Sequence, residues 1–555
     1  MSTENQVEYP LDQAVDFVIV GSGSSGGILA KELSTGGFSV VLLEQGPFRE
    51  AKDFTHDEFS VFAMSELSGG TPEINNQTFR DDESKVAQVA RDRGPAFYSP
   101  GVGGSSVHYS ANFWRLREID FNERSVLGPI AGTNFADWPI SYDDLEPYYT
   151  KVDWEIGICG EPGPFDSWRS RPFPMPPMPV KSSGVLLEKG AKALGLHAQA
   201  EPLAILSAPH NGRAPCIHCG FCMGFGCEIG AKSSTLAAMI PLAQASGNCE
   251  IRAGCAVYQL ETGDSGKISE VRYIDPDGNQ RAQKARAVVV AANGAETPRL
   301  LLNSANAANP DGLANSSGFV GRNLMLNSHG LVHATFEHEL NDYHGVQCTR
   351  VVHDYYESDP KRGFYGGGGF DARPFLHATP MMYALTGQPP GKNWGAEFKD
   401  TMAHNFNHQM TIAVGATSLA QDRNNITIDP THKDKWGRPS LRMTYLDHDD
   451  DLANARFLQS VGKEVVDAAG ALEQWSRPVG PQNGGPHLLG TCRMGEDPQT
   501  SVIDPQHRSH DISNLFICDG SSMVTSGRGQ PTMTIMALAF RAADHIAAAA
   551  KANEI

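Results

Sequence analysis

Four cysteines, Cys216, Cys219, Cys222 and Cys227, fall within twelve positions in the run CIHCGFCMGFGC. The spacing C-x2-C-x2-C-x4-C lets one short loop aim several thiolates at a common centre, as iron–sulfur ligation requires. Ferredoxin-type runs end with three intervening residues rather than four, so the loop offers three or four ligands to a 3Fe-4S or 4Fe-4S cluster. Two other readings stay open: a zinc site, which usually shows two separated cysteine pairs or histidines, and plain thiols. His218 and Met223 flank the centre. The remaining cysteines, Cys159, Cys249, Cys255, Cys348, Cys492 and Cys518, are scattered and read as small buried side chains. Clustering of this kind argues against a disulfide framework.

A second constellation sits near the N-terminus in DFVIVGSGSSGG. Gly21, Gly23 and Gly26 form G-x-G-x-x-G between an apolar run and an amphipathic stretch, and Glu44 closes the next apolar run 23 residues beyond Gly21. Glycines there permit a tight turn and close approach of a pyrophosphate to a helix N-terminus, while the acid can hold a ribose diol. The motif alone does not separate FAD from NAD. Together the two constellations predict a two-electron and a one-electron carrier in one chain, hence a dehydrogenase that passes its electrons onward.

The elements that must position these residues follow from periodicity. Val15 to Val20, Ile28 to Leu33 and Val40 to Leu43 read as β-turn-α-β, and Ala287 to Ala292, followed by a helical run from Thr297 to Ala305, reads as a later strand–helix unit of the same sheet. Phe48 to Ala96 is polar and aperiodic, and Glu161 to Val180 is rich in proline, so both read as loops or lids. From about Gly330 to Gln482, alternating segments such as His344 to Tyr356 and Gln409 to Thr417 suit an antiparallel sheet. A strand at Asn514 to Cys518 and a helix beginning near Thr532 return the chain to the first domain. No repeat of fixed period is present.

Further segments carry a resemblance. Gly101 to Arg115 (GVGGSSVHYSANFWR), Gly294 to Ser304, Gly321 to Met325, His487 to Gly495 (HLLGTCRMG) and Asp519 to Arg541 resemble the signature segments of the glucose–methanol–choline oxidoreductases, in that family's order. The resemblance implies FAD and an alcohol or sugar substrate. The fold it implies is α/β plus α+β, a discontinuous Rossmann-like FAD domain with an antiparallel-sheet substrate domain. On this chain the FAD domain would comprise 14–140, 205–329 with the cysteine loop, and 485–555; 141–204 would connect, and 330–484 would form the substrate domain.

Carried over by position, the resemblance assigns Gly21, Gly23, Gly26 and Glu44 to the ADP half of FAD. Gly103, Gly104, Ser105, Ser106 and His108 would lie along the diphosphate and isoalloxazine, Asn112 near the flavin edge, and Asp519 and Gly520 by the diphosphate or ribitol. His487 is the implied catalytic base facing flavin N5, since a neutral imidazole can take the hydroxyl proton while hydride leaves. The family's second residue, His or Asn, is replaced by Gln530, which can orient a hydroxyl but cannot be a second base. The cysteine run and the following CEIGAKSS resemble a bacterial sugar-dehydrogenase subset, among them glucose, fructose and gluconate dehydrogenases. Its members pass electrons through an iron–sulfur cluster to a cytochrome c and often pair with a small signal-bearing subunit. Glucoside 3-dehydrogenation is the preferred specific activity; a family oxidase using O2, oxidation at the anomeric carbon or of gluconate, and a non-catalytic flavin-binding electron carrier are the alternatives.

Composition bounds these readings. The 555 residues suit two or three domains, and 45 basic against 64 acidic residues leave a net charge of −19, which disfavours nucleic acid or an anionic membrane as the main partner. No uninterrupted apolar run reaches the roughly 18 residues of a membrane helix, and MSTENQVEYPLDQ lacks a signal pattern. The expectation is folding in the cytoplasm, with export only alongside a partner. His329, His507 and His510 read as structural; Trp138 to Tyr149 reads as packing and surface; Trp436, Tyr445 and Trp475 read as core, or as faces on which a sugar ring could stack.

Overall fold

The computed structural model describes residues 7–63, 76–90, 94–374 and 379–555. Strand β1 (Val15–Val20), helix α1 (Gly26–Thr35) and strand β2 (Val40–Glu44) form the expected β-turn-α-β unit, β1 and β2 pairing in parallel. Both strands are apolar almost throughout because both faces are covered. They sit in a seven-stranded sheet. Cys249–Ala253 flanks β2, Gln280–Val290 flanks β1, and Leu515–Ile517 pairs in parallel with Gln280–Val290. Ile268–Ile274 and Ala256–Thr262 extend that edge antiparallel. Thr532–Lys551 packs on α1 and on Tyr142–Val152. By length and composition it could cross a membrane, but most of it is buried in this core.

The second sheet has six strands in the order Glu473–Trp475, His329–Thr335, Gln409–Ala416, Gly368–Arg373, Arg350–Val352 and Ala198–Ala200, all antiparallel. Alternation gives each face its own chemistry. Val332, Ala334, Phe370, Ala372, Ile412 and Val414 pack in one apolar cluster with Leu187, Leu458 and Val465 from the helices Ser182–Ala193 and Asp449–Ala469. The residues between them, His329, His333, Asp371, Arg373 and Thr411, share the opposite face, as the pairings His329 with Gly415 and Arg373 with Thr411 require. Within His344–Tyr356, only Arg350–Val352 is strand.

The segment read as loop from Phe48 to Ala96 needs correcting. Thr78–Arg80 and Gln88–Val89 join Asn425–Lys433 and Pro439–Thr444 in a four-stranded sheet. Their two or three residues are too short to show a period, and they are held from afar: Thr78 Oγ1 donates to Asp429 (2.9 Å) and Arg80 Nε to Thr444 Oγ1 (3.0 Å). Residues 64–75 and 91–93 of that segment lie outside the described residues. Glu161 to Val180 forms no helix or strand, as its prolines predict.

Phe370 is fully buried between sheet and helices. Phe370→Ala is expected to cost about 3–5 kcal/mol, read as a lowered thermal midpoint of the purified protein. An unchanged midpoint would show that this face does not hold the second domain together.

Candidate active site

An elongated cleft opens at the carboxyl ends of the parallel strands, where such sheets bind ligands. Gly21, Gly23, Glu44, Gly104, Ser105, Asp519, Gly520 and His487 line it, with Trp436 and Tyr258 farther along and Pro531 and Thr532 at the N-terminus of the last helix. Its empty space is about 1450 Å³ with the open mouth included. The glycines divide by role. A Cβ on Gly26 would lie 1.8 Å from Gly21 O, so Gly26 serves helix packing. A Cβ on Gly104 would lie 2.7 Å from Gly23 Cα, so these two backbones touch there, a close approach that glycine permits. The start of α1 lies open to the cleft beside this contact, and a helix N-terminus there fits a diphosphate.

Two buried carboxylates frame this part of the cleft. Glu44 accepts from Ser22 N (3.1 Å) and Ser22 Oγ (2.7 Å) on one oxygen, and from Gly46 N (3.0 Å) and Gly101 N (3.2 Å) on the other. Burial raises its pKa while these donors lower it. Asp519 accepts from Asn293 N (3.0 Å), Thr297 Oγ1 (2.6 Å) and Ser521 N (2.7 Å). Gly103, Ser106, His108 and Asn112 stand one layer back. Gly103 packs against Leu236 and Val107; Ser106 Oγ donates to Gly103 O (2.6 Å); His108 O accepts from Gly224 N (2.7 Å). The Asn112 amide donates to Glu201 (2.8 Å).

His487 has a defined tautomer. Asn327 Nδ2 donates to Ala416 O (2.9 Å), which turns Asn327 Oδ1 toward His487 Nδ1 at 3.1 Å. The acceptor oxygen places the imidazole proton on Nδ1 and leaves Nε2 with its lone pair free. Burial, with His329 adding to it, pushes His487 down to about 3, so the ring is neutral. The loop that carries it is pressed onto the helix Asn293–Asn303: a Cβ on Gly294 would lie 2.0 Å from Leu488 O. His329, read as structural, packs edge-on against His487 with centroids 5.5 Å apart, and its Nδ1 pairs with Val414 O at 3.3 Å. Gln530 precedes Pro531 in a loop whose Gly529 abuts Gly415, and its amide makes no hydrogen bond among the described residues. His507 and His510 are structural: His507 Nδ1 pairs with Ile517 O, and His510 Nε2 with Ser501 Oγ. Tyr445 is core, and Trp475 lies at the sheet edge beside His333.

Sequence reasoning missed several groups that only tertiary structure assembles. On the inner face of the second sheet, Arg373 donates to both Asp371 oxygens, and Trp114 Nε1 donates to Glu201 (2.7 Å). Burial, with Asp371 adding to it, raises Glu201 well above the carboxylate range. At the cysteine loop, the sulfurs of Cys216, Cys219, Cys222 and Cys227 act on one another electrostatically, and burial pushes Cys222 up to about 12. Buried Lys232 is pushed down to about 8. Among the described residues, the group of three ligand atoms within 4.8 Å of one another is His56, Cys219 and Glu228, not three cysteines. The six remaining cysteines are buried and free, as read.

Family models described as GMC oxidoreductase match residues 15–329 and 420–539. A 2-methyl-1,2-propanediol dehydrogenase of Mycolicibacterium austroafricanum is 33% identical over 536 residues, 96% of this chain and 95% of that one. The fructose dehydrogenase large subunit of Gluconobacter japonicus is 30% identical, covering 96% of this chain and 98% of its own. A solved formate oxidase from Aspergillus oryzae shares the fold at TM-score 0.66 and 15% identity, over 98% of this chain and 100% of its own.

Two outcomes follow from the geometry. Because His487 sits below the ordinary 6.5, its base form is lost only as pH falls through the lowered value, and the acid limb of kcat/KM is expected well below 6.5. Asn327→Asp sets a carboxylate at Nδ1, stabilises the imidazolium and should move that limb up by about one unit or more; an unmoved limb would detach His487 from the base role. Gly23→Ala meets nothing nearer than Gly104 Cα at 4.0 Å, so it should fold yet purify without FAD, whereas Gly26→Ala should lose soluble yield. Full FAD content in Gly23→Ala would move the diphosphate elsewhere.

Proposed function

The chain belongs to the GMC oxidoreductase family, and we propose that it oxidises a secondary hydroxyl of a sugar or glycoside and sends the electrons out through an iron–sulfur cluster. Its reaction class is the family's, oxidation of CH–OH groups, and its cofactor is FAD. The observation that carries the reading is His487, neutral, with Nε2 free at the cleft and Nδ1 anchored on Asn327. Nε2 takes the hydroxyl proton, and Asn327 Oδ1 accepts from the Nδ1–H of the imidazolium so formed. Gln530 orients the hydroxyl without competing as a base. Bound FAD supplies the acceptor for the hydrogen and electron pair leaving the carbinol carbon. A cluster on Cys216, Cys219, Cys222 and Cys227 would supply one-electron storage, and the bond from Gly224 N to His108 O joins that loop to the segment whose Gly104 and Ser105 line the cleft.

Within the sugar class, C3 of a glucoside is the preferred position, because Gln530 stands where the family's histidine or asparagine would and sets this chain apart from enzymes acting at C1 of glucose. The likeness to a fructose dehydrogenase large subunit supports a partner subunit; a cytochrome c-type acceptor and export in the partner's company belong to the same proposal. A small branched diol is the second reading, favoured by the 33% identical diol dehydrogenase.

Anaerobic addition of methyl β-glucoside, whose anomeric centre is blocked, should bleach the flavin absorbance, and His487→Ala should slow bleaching by about 10²–10⁴. Bleaching by glucose alone would move the chemistry to the anomeric carbon, and by 2-methyl-1,2-propanediol alone to a diol. Zinc without iron in the purified protein would remove the cluster.

A further inference from the structure

Lys232 is 2% exposed and lies five residues beyond the last cysteine of the loop. Its ammonium donates to three backbone carbonyls: Cys222 O (2.5 Å), Phe225 O (2.8 Å) and Tyr109 O (3.1 Å). Those three bonds use all the donors a lysine has. Two of the acceptors belong to the cysteine loop and the third directly follows His108, so one side chain fastens the loop to the stretch carrying Gly104 and Ser105 into the cleft. Carbonyls solvate an ammonium but do not neutralise it. Among the described residues, Lys232 has no carboxylate within ion-pair distance; Lys181 nearby has Asp342 at 4.0 Å. The groups able to bear negative charge that act on Lys232 are the sulfurs of Cys222, Cys227 and Cys219. An isolated buried charge is costly, and a buried cation without a carboxylate calls for another anion.

We infer that Lys232 is the fixed counter-cation of the metal-bound thiolates, and that its charge raises the reduction potential of the cluster so that it draws electrons from the flavin. This rests on the iron–sulfur reading above. Uptake of one electron makes the cluster one unit more negative and changes nothing on Lys232, so the attraction is larger in the reduced form. Two other, partly buried cations act on the loop's sulfurs, but neither bonds the backbone of a candidate ligand: Lys181 acts on Cys222 with Asp342 4.0 Å away, and Arg213 acts on Cys227 while donating to Gly230 O and Ser233 Oγ. Glu228 carries the opposite sign but is partly exposed and paired with His56 at 3.1 Å, while Arg373 reaches the loop through Met223 with both nitrogens of one edge committed to Asp371. Lys232 is the buried cation bonded directly to the backbone of a candidate ligand.

The test begins with iron and acid-labile sulfide in the wild-type holoenzyme; finding neither removes the cluster reading itself, whatever Lys232 does. With the cluster present, Lys232→Met, which keeps the length and removes the charge, and Lys232→Arg, which keeps the charge, are compared by redox titration followed by electron paramagnetic resonance. Lys232→Met should lower the cluster potential by about 59 mV or more, a tenfold loss in the one-electron equilibrium, with the flavin couple little moved, while Lys232→Arg stays near wild type. Equal potentials in wild type and Lys232→Met would overturn the inference. If Lys232→Met folds by circular dichroism but holds no iron, iron retained in Lys232→Arg supports the counter-charge. Iron lost from both overturns it in favour of packing alone.

Discussion

Everything in the first domain hangs on buried carboxylates that end strands and collect backbone amides. Glu44, the last residue of β2, gathers the turn after β1, the turn after β2 and the segment at Gly101 onto two oxygens. Asp519 does the same two residues beyond Leu515–Ile517, collecting the start of the helix Asn293–Asn303 and its own turn. Burial of either acid opposes ionisation, and hydrogen bonds to the charged form oppose that in turn. The two lie at the same edge of one sheet, so segments hundreds of residues apart meet at one cleft. Four donors already converge on Glu44, so a ribose hydroxyl there would join an existing network rather than find a free carboxylate.

The second sheet solves a different problem. One apolar face packed on two helices keeps it rigid, and that frees the opposite face to carry groups a core would reject. Asp371, Arg373 and Glu201 sit there as a set joined through the Asn112 amide, with Glu201 Oε2 and Asn112 Oδ1 left without partners among the described residues. Buried polar atoms of that kind are tolerated where a site needs them rather than where stability does. The same face places His329 against His487, so the substrate side and the base are joined by packing between domains.

What could be read from the sequence was whatever is local. The glycine turn, Glu44, the cysteine run and the loop of His487 each lie within a short stretch, and their spacing carries their chemistry. Asn327 lies 160 residues from His487, and nothing in its neighbourhood marks an imidazole partner. His56 and Glu228 are 172 residues apart and meet only through the fold. Lys232 was in view inside CEIGAKSS, but burial without a carboxylate is invisible in one dimension. The short strands at Thr78–Arg80 and Gln88–Val89 escaped for the same reason, since their partners lie more than 300 residues on or consist of each other.

On the reading proposed above, in which His487 is the base, its neutrality also limits how the proton can move. An imidazole in bulk water gains a proton at ordinary acidity, but here burial penalises the imidazolium, and His329 faces it with no negative charge to offer. Asn327 orients the ring through a neutral amide, which stabilises the cation far less than a carboxylate would. Removing the hydroxyl proton on its own would therefore leave an alkoxide and an imidazolium in a site built to favour neither. Protonation becomes favourable only as negative charge leaves the carbinol carbon toward the cleft wall, where the N-terminus of the helix Thr532–Lys551 points. Loss of the proton and loss of the electron pair are then tied together by electrostatics. A carboxylate in place of Asn327 would loosen that tie, stabilising the imidazolium before the substrate is oxidised.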